Sequence, residues 1–311
     1  MFIFRWIANG LAPLTLLGAV GAYFFPELFL PFKYVFKWLF ATTMFALGVV
    51  LDPEELKDTL HHPVRILLGV LTQYVVMPGL AFAVATLAGL PPALALGFII
   101  VGSAPGAMAS NVIVYLAGGA MAFSIAMTTV ATFLSPLVTP TLVETLGGRL
   151  LPIPFWNMMQ TILLVVVAPL GLGMYLHRYL GRHLSLAKEI APALAALAII
   201  IICSYAVAAN QSRIATVGLD VFLLVVLLNA LGYTAGWLLA RWYRFDQRHQ
   251  VALAIEIGMQ NAGLGVVLAL EHFKSTPETA LPGALFAVWC ILTAAGATSW
   301  LRHRQAVVAA I

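Results

Sequence analysis

A chain of 311 residues that is 62% hydrophobic and only 9% charged, with a mean hydropathy of +0.99, falls far short of the roughly 25% charged residues of a soluble domain. That excludes an ordinary water-soluble globular fold and points to an all-α polytopic membrane protein. The net charge of +4 comes from basic residues spread between apolar runs rather than gathered in one patch, so it reads as membrane topology and not as a nucleic-acid-binding face.

Ten membrane crossings of about 20 residues each are expected, at roughly 6–29, 32–51, 63–88, 91–117, 120–143, 153–177, 190–210, 218–243, 247–272 and 279–301. The first carries one basic residue, Arg5, and has no small-residue cleavage site at the usual distance, so it is expected to remain as an uncleaved span. Turn-forming residues punctuate the connections: Phe25-Pro26-Glu27, Asp52-Pro53-Glu54-Glu55, Gly89-Leu90-Pro91-Pro92, Gly118-Gly119, Gly147-Gly148-Arg149 and Ser275-Thr276-Pro277-Glu278. None is long enough to hold a soluble domain, so residues 1–311 read as a single transmembrane unit. The two cysteines, Cys203 and Cys290, fall inside spans without metal-ligand spacing and read as small packing residues.

An even number of spans places both termini on one side. Arg5, Lys57, Arg65, Arg178, Arg182, Lys188, Arg241, Arg244, Arg248, Arg302 and Arg304 then share that side, against Lys33, Lys37, Arg149, Arg213 and Lys274 on the other. The excess of basic residues predicts that both termini are cytoplasmic.

A shift of 156 residues reveals a weak internal repeat. Ala12-Pro13-Leu14 falls on Ala168-Pro169-Leu170, Gln73 on Asn229, Gly102 on Gly258, and 103–110 on 259–266. Each half, 1–149 and 150–311, would contain five spans, an odd number, so the halves would insert in opposite orientations. Inverted repeats with paired broken helices are a sequence pointer to a secondary transporter.

Residues 66–143 contain no Lys, Arg, Asp, Glu or His, and within them polar groups cluster at Gly102-Ser103-Ala104-Pro105-Gly106-Ala107-Met108-Ala109-Ser110-Asn111. A proline removes a backbone donor and the flanking glycines loosen the chain, so a break is expected near 104–107; a plain proline kink is the alternative. The matching segment Glu256-Ile257-Gly258-Met259-Gln260-Asn261-Ala262-Gly263 puts a carboxylate at membrane depth, where a charge costs roughly 2.5–3.5 kcal/mol on insertion scales. Second half-helices starting near 106–109 and 261–263 would point N–H groups at an anion. Carbonyls near 257–260 would be free for a cation.

Ser124 and Thr128, four apart on one helix face, add hydroxyls, although bonding back to their own helix is the common fate of such groups. Gln73 needs partners in lipid. Glu256 is a cation ligand, a proton carrier or a structural carboxylic acid, and the neutral oxygen-bearing residues around it favour the first role.

At these residues the chain resembles the bile acid:sodium symporter family, and its bacterial members in particular. The resemblance rests on Pro105-Gly106 through Ser110-Asn111-Val112, on Ser135-Pro136-Leu137-Val138-Thr139-Pro140, on Glu256 through Asn261, and on Pro282-Gly283-Ala284-Leu285-Phe286. It implies two inverted five-helix repeats with helices four and nine broken and crossing. It also implies a panel of spans 6–51 and 153–210 and a core of spans 63–143 and 218–301. By the same carry-over, one sodium ion would be held by Ser110, Asn111, Ser124, Thr128 and Glu256. A second would be held by Gln73, Glu256 and Gln260 with the carbonyls of Ile257 and Met259.

The implied substrate is an organic anion, bile acid-like or a small keto or hydroxy acid, near Asn261 and the backbone of Ala107 and Met108. Bacterial relatives can carry Thr at the Met108 position and His-Asn at Cys290-Ile291, so this chain departs from them at both places. The implied activity is sodium-driven uptake by alternating access, in a monomer in the bacterial inner membrane with no enzymatic step.

The rival readings are a cation/proton antiporter or a proton-coupled organic anion transporter on the same fold. The antiporter would keep an aspartate at mid-membrane, whereas Asp52, Asp58, Asp220 and Asp246 lie at span ends. An intramembrane enzyme is disfavoured because His61, His62, His177, His183, His249, His272 and His303 all sit at expected membrane edges.

Overall fold

The computed structural model describes residues 11–52, 63–180, 184–290, 292, 293 and 296. Arg5, Lys57, Asp58, His61, His62, Arg182, His183, Ile291, Arg302, His303 and Arg304 therefore lie outside the described residues. Among the described residues the protein is helical, with one isolated β-bridge and no strands. Its helices are α1 Leu11–Phe24, α2 Phe36–Val50, α3 Pro63–Leu87, α4 Pro92–Gly102, α5 Ser110–Leu116, α6 Met121–Gly147, α7 Phe155–Ile162, α8 Ala168–His177, α9 Leu184–Ala209, α10 Gln211–Trp242, α11 Gln247–Gly258 and α12 Ala262–His272. A further helical run occupies 281–290.

Among the described residues, five helical stretches are long and apolar enough to cross a membrane: α3, α6, the run Phe155–His177, Ser185–Ala209 of α9, and α10. A sixth joins Pro13–Phe24 to Pro26–Tyr34 through a 112° bend. That bend follows from two short 3-10 turns, Pro26–Leu28 and Leu30–Tyr34, with a proline at the first or second position, Pro26 and Pro31. α2, α4 and α12 are apolar but shorter.

Proline also shapes the run Phe155–His177. Between α7 and α8 lies a π-turn, Leu163–Val167, ending two residues before Pro169. The proline ring would clash with the carbonyl four residues back, and the wider turn moves that carbonyl aside.

α10 is longer than its apolar stretch. The sequence places this span at 218–243, yet the helix begins at Gln211, separated from α9 only by Asn210. Hydropathy marks the bilayer and not the helix end. Here the extra turns are held by Gln211 Nε2 donating to Tyr23 O at 2.7 Å and by Arg213 pairing with Glu278 at 3.3 Å.

α2 packs against α8 and α9, and α9 against α1. α3 packs against α4, α6 and α10, and α10 lies along α11. Close approach of α10 to α11 depends on small residues. A Cβ on Gly236 would sit 2.8 Å from Leu253 O, and one on Gly232 would sit 3.2 Å from the Gly258 Cα. Without a hydrophobic drive between helices in lipid, such close backbone contact is the main source of packing energy.

Candidate functional site

Two helix breaks form the site. α4 stops at Gly102 and α5 starts at Ser110; α11 stops at Gly258 and α12 starts at Ala262. The unwound segments meet in an antiparallel bridge between Gly106 and Gln260. Asn261 N donates to Pro105 O at 2.8 Å, and Ala107 N donates to Met259 O at 2.9 Å. Non-helical backbone at membrane depth survives only when its polar groups are satisfied by protein, and neighbouring side chains complete the task here. Thr139 Oγ1 donates to Ser103 O, Gln73 Nε2 to Ala104 O, Asn229 Nδ2 to Gly258 O, and Gln260 Nε2 to Ile257 O.

This changes two expectations. Free N–H groups near 106–109 were expected to face an anion, but α5 starts at Ser110 and the Ala107 N–H joins the breaks instead. The carbonyls near 257–260 were expected to be free. Each already accepts one hydrogen bond, from Gln260, Asn229, Ala107 and the Ala262 N–H in turn. Each keeps one lone-pair direction for a further ligand.

Glu256, on the last turn of α11, is fully buried. Among the described residues no ion pair includes it. Its Oε1 contacts Ser110 Oγ and Ser124 Oγ, and its Oε2 accepts from Thr128 Oγ1 at 2.7 Å. Asn111 Oδ1 lies 2.7 Å from Ser124 Oγ and 3.5 Å from Thr128 Oγ1. Ser110 Oγ also contacts Ala107 O at 2.5 Å, and Thr128 Oγ1 contacts Ser124 O at 2.8 Å.

The three hydroxyls thus make seven oxygen contacts, but a hydroxyl carries only one proton. At most three contacts are ordinary two-centre hydrogen bonds. The remainder are oxygens held against oxygens around a buried carboxylate, an arrangement that a hard cation or an added proton relieves. Thr128 Oγ1 lies within reach of both its own helix carbonyl, Ser124 O, and the carboxylate, with one proton to serve either.

The second group lies beside the first. Gln73 Nε2 donates to Gln260 Oε1 at 2.7 Å, and Gln260 in turn donates to Ile257 O at 2.9 Å. Gln73 Oε1 is buried and has no hydrogen-bond partner. An orphaned amide oxygen costs about 1–3 kcal/mol, and its chemistry fits an oxygen-seeking cation. The Glu256 carboxylate is not bonded to Gln73 or Gln260 in this arrangement. It lies under Gly106, where a Cβ would come 2.7 Å from Oε2.

Among the expected substrate residues, Asn261 and Ala107 come together at the bridge, with Met108 next to Ala107 in the chain, while no hydrogen bond ties Cys290 to them among the described residues. Asn261 is the N-cap of α12, with Oδ1 accepting from Leu264 N at 3.2 Å. Met108 packs in the apolar cluster that includes α2, α8 and α9 residues. Cys290 is buried in the second cluster, against which Ala107 also packs, with its thiol directed to Ala287 O. Sequence reasoning missed Phe40 of α2, whose ring would touch a Cβ on Gly263 at 3.0 Å. It also used Asn229 only as a repeat match, although Asn229 holds the Gly258 carbonyl. The amide in an apolar run was the available signal for Asn229; nothing marked Phe40.

Apolar membrane-length helices around a buried, carboxylate-centred oxygen cluster at two paired helix breaks define a multi-pass membrane protein with a polar centre of the kind that transporters carry. A family model for the sodium bile acid symporter family matches residues 38–217. The chain is 36% identical over 271 residues to the uncharacterized sodium-dependent transporter YocS of Bacillus subtilis (strain 168), covering 87% of this chain and 84% of that protein. It is 36% identical over 246 residues to the probable chloroplastic sodium/metabolite cotransporter BASS1 of Arabidopsis thaliana, and 37% identical over 246 residues to the BASS1 of Oryza sativa subsp. japonica. It spans only about three fifths of the length of these two plant relatives (61% and 60%). The chain belongs to the sodium bile acid symporter family, a family of sodium-dependent membrane transporters.

Proposed function

We propose that the protein is a sodium-coupled symporter that carries an organic anion into the cell by alternating access. The observation that supports this best is the shortage of protons around Glu256, where three hydroxyls share seven oxygen contacts. Ser110, Asn111, Ser124, Thr128 and Glu256 would hold one sodium ion. Gln73, Gln260, Glu256 and the carbonyls of Ile257 and Met259 would hold a second, in support of which stands the orphaned oxygen of Gln73. The ten-span inverted topology, the panel and core division and cytoplasmic termini belong to the same proposal.

The names of the relatives support sodium as the coupling ion and a metabolite as the cargo. The substrate would be a bile acid-like anion or a small keto or hydroxy acid, received by the Asn261 amide beside Met108. The side-chain amide nitrogen of Asn261 is the donor left available, since its oxygen caps α12. Two sodium ions with one monoanion move one net positive charge. A membrane potential of 100 mV, inside negative, would then add about 2.3 kcal/mol to each cycle.

The test is a thermal-shift screen of organic anions with sodium or potassium, followed by uptake of the hit into proteoliposomes. Sodium-dependent stabilisation and uptake are expected. Equal uptake in potassium, with uptake following a proton gradient, would replace sodium by a proton on Glu256.

A further inference from the structure

Glu271 and His272, the last residues of α12, reach across to two different helices. Glu271 Oε1 pairs with Lys37 Nζ of α2 at 2.9 Å, and His272 Nε2 lies 3.0 Å from Thr161 Oγ1 of α7. Both contacts lie at the end of the molecule that the charge count places outside, with Lys33, Arg149, Arg213 and Lys274. α2 and α7 belong to the proposed panel and α12 to the proposed core, so the contacts close the outer mouth of the seam between them. The seam leads inward to the helix break. Phe40, one turn along α2 from Lys37, is 1% exposed. Its ring lies 3.0 Å from the place of a Cβ on Gly263, and that place is 3.7 Å from Asn261 Oδ1. α12 rises about 12 Å from Gly263 to Glu271.

We infer that Lys37 is the residue that first receives the organic anion at this mouth, and that Glu271 is an internal carboxylate that fills the anion's place while the mouth is shut. The inference rests on the proposed transport of an organic anion and names the entry point for it. An anion that passes from this mouth to Asn261 must part α2 from α12, which breaks the Lys37–Glu271 pair.

The two partners fare differently when the pair breaks. Glu271 keeps Lys274, whose charge already acts on it from the same side of the seam. Among the described residues no other carboxylate pairs with Lys37, and its side chain is 34% exposed. The group left without a counter-ion is therefore the cation, on the wall that faces α12. A substrate carboxylate offers it the same two oxygens as Glu271 did. An ammonium on a flexible stem is a point charge that draws any carboxylate, so selection of the substrate's body falls to residues deeper in the seam.

Uptake of pyruvate and of cholate into proteoliposomes at fixed sodium provides the test. Lys37→Gln removes the receiving charge and is expected to raise the half-saturating anion concentration roughly 2- to 5-fold, the range of a partly exposed ion pair. Glu271→Gln removes the competitor and is expected to lower that concentration by a similar factor. Lys37→Arg keeps the charge and should stay near wild type. Choline chloride added at fixed sodium should shrink both shifts by screening. The opposite signs separate this role from a plain latch, because a pair that only holds the seam shut is broken equally by either variant. Shifts of the same sign, or no shift in Lys37→Gln, overturn the inference and leave sodium-coupled transport standing. No sodium-dependent uptake of either anion by the wild-type protein overturns the transport reading itself, and this inference with it.

Discussion

Gly106→Ala probes the Glu256 cluster without deleting any proposed ligand. The added Cβ would sit 2.7 Å from Glu256 Oε2, whereas ordinary van der Waals contact begins near 3.4 Å. The difference is about 0.7 Å, and it must be absorbed by the carboxylate, because Gly106 is fixed by the bridge to Gln260. The carboxylate is itself held by Ser110, Ser124 and Thr128. A shift of that size breaks at least one of these contacts, and a hydrogen bond to a charged group is worth about 1.5–3 kcal/mol. If the cluster binds sodium, its affinity should fall roughly 10- to 150-fold. The assay is the sodium concentration giving half-maximal uptake, measured in proteoliposomes with a saturating organic anion. An unchanged sodium requirement in a correctly folded variant would refute the argument that this carboxylate is a ligand.

Other expectations follow from separate parts of the site. Asn261→Ala removes the cap of α12, which should cost about 0.5–2 kcal/mol of stability; it should also weaken substrate more than sodium, as separate titrations of each would show. Asn229→Leu leaves the Gly258 carbonyl without its donor, and the melting temperature should fall by the equivalent of about 1–3 kcal/mol. At the edge of the fold, slight burial raises the Asp246 pKa, but hydrogen bonds from His249 and Arg248 outweigh it and hold the carboxyl below its usual range. Its capping contribution is thus present above the ordinary carboxylate range and is lost as pH falls through the lowered folded value. The melting-temperature difference between wild type and Asp246→Ala should therefore shrink on acidification, and a difference constant with pH would contradict this.

The site was legible in the sequence where its chemistry is unlike its surroundings. Glu256 is a carboxylate in an apolar run, and Pro105 and Gly258 interrupt helices that composition alone would continue. Ser110, Asn111, Ser124 and Thr128 were implied by the family resemblance; the fold brings Ser110, Ser124 and Thr128 to the carboxylate and sets Asn111 against the last two. The resemblance implied that the two breaks cross, but the backbone register in which they meet was not legible. Nothing in either segment encodes the register of Gly106 on Gln260, some 150 residues away, which spends the Ala107 N–H on Met259 O and the Asn261 N–H on Pro105 O. The length of α10 was hidden because hydropathy reports the bilayer and not the helix. Phe40 was hidden because an aromatic residue in an apolar span looks the same whether it meets lipid, a helix or a helix break.

The central claim is that the oxygens around Glu256 hold a transported sodium ion. Equilibrium binding of radioactive sodium to the purified protein, with potassium as competitor, tests it most directly. The account predicts saturable binding that potassium does not displace and that Glu256→Ala abolishes. No saturable binding to the wild-type protein, or the same binding in Glu256→Ala, would contradict it.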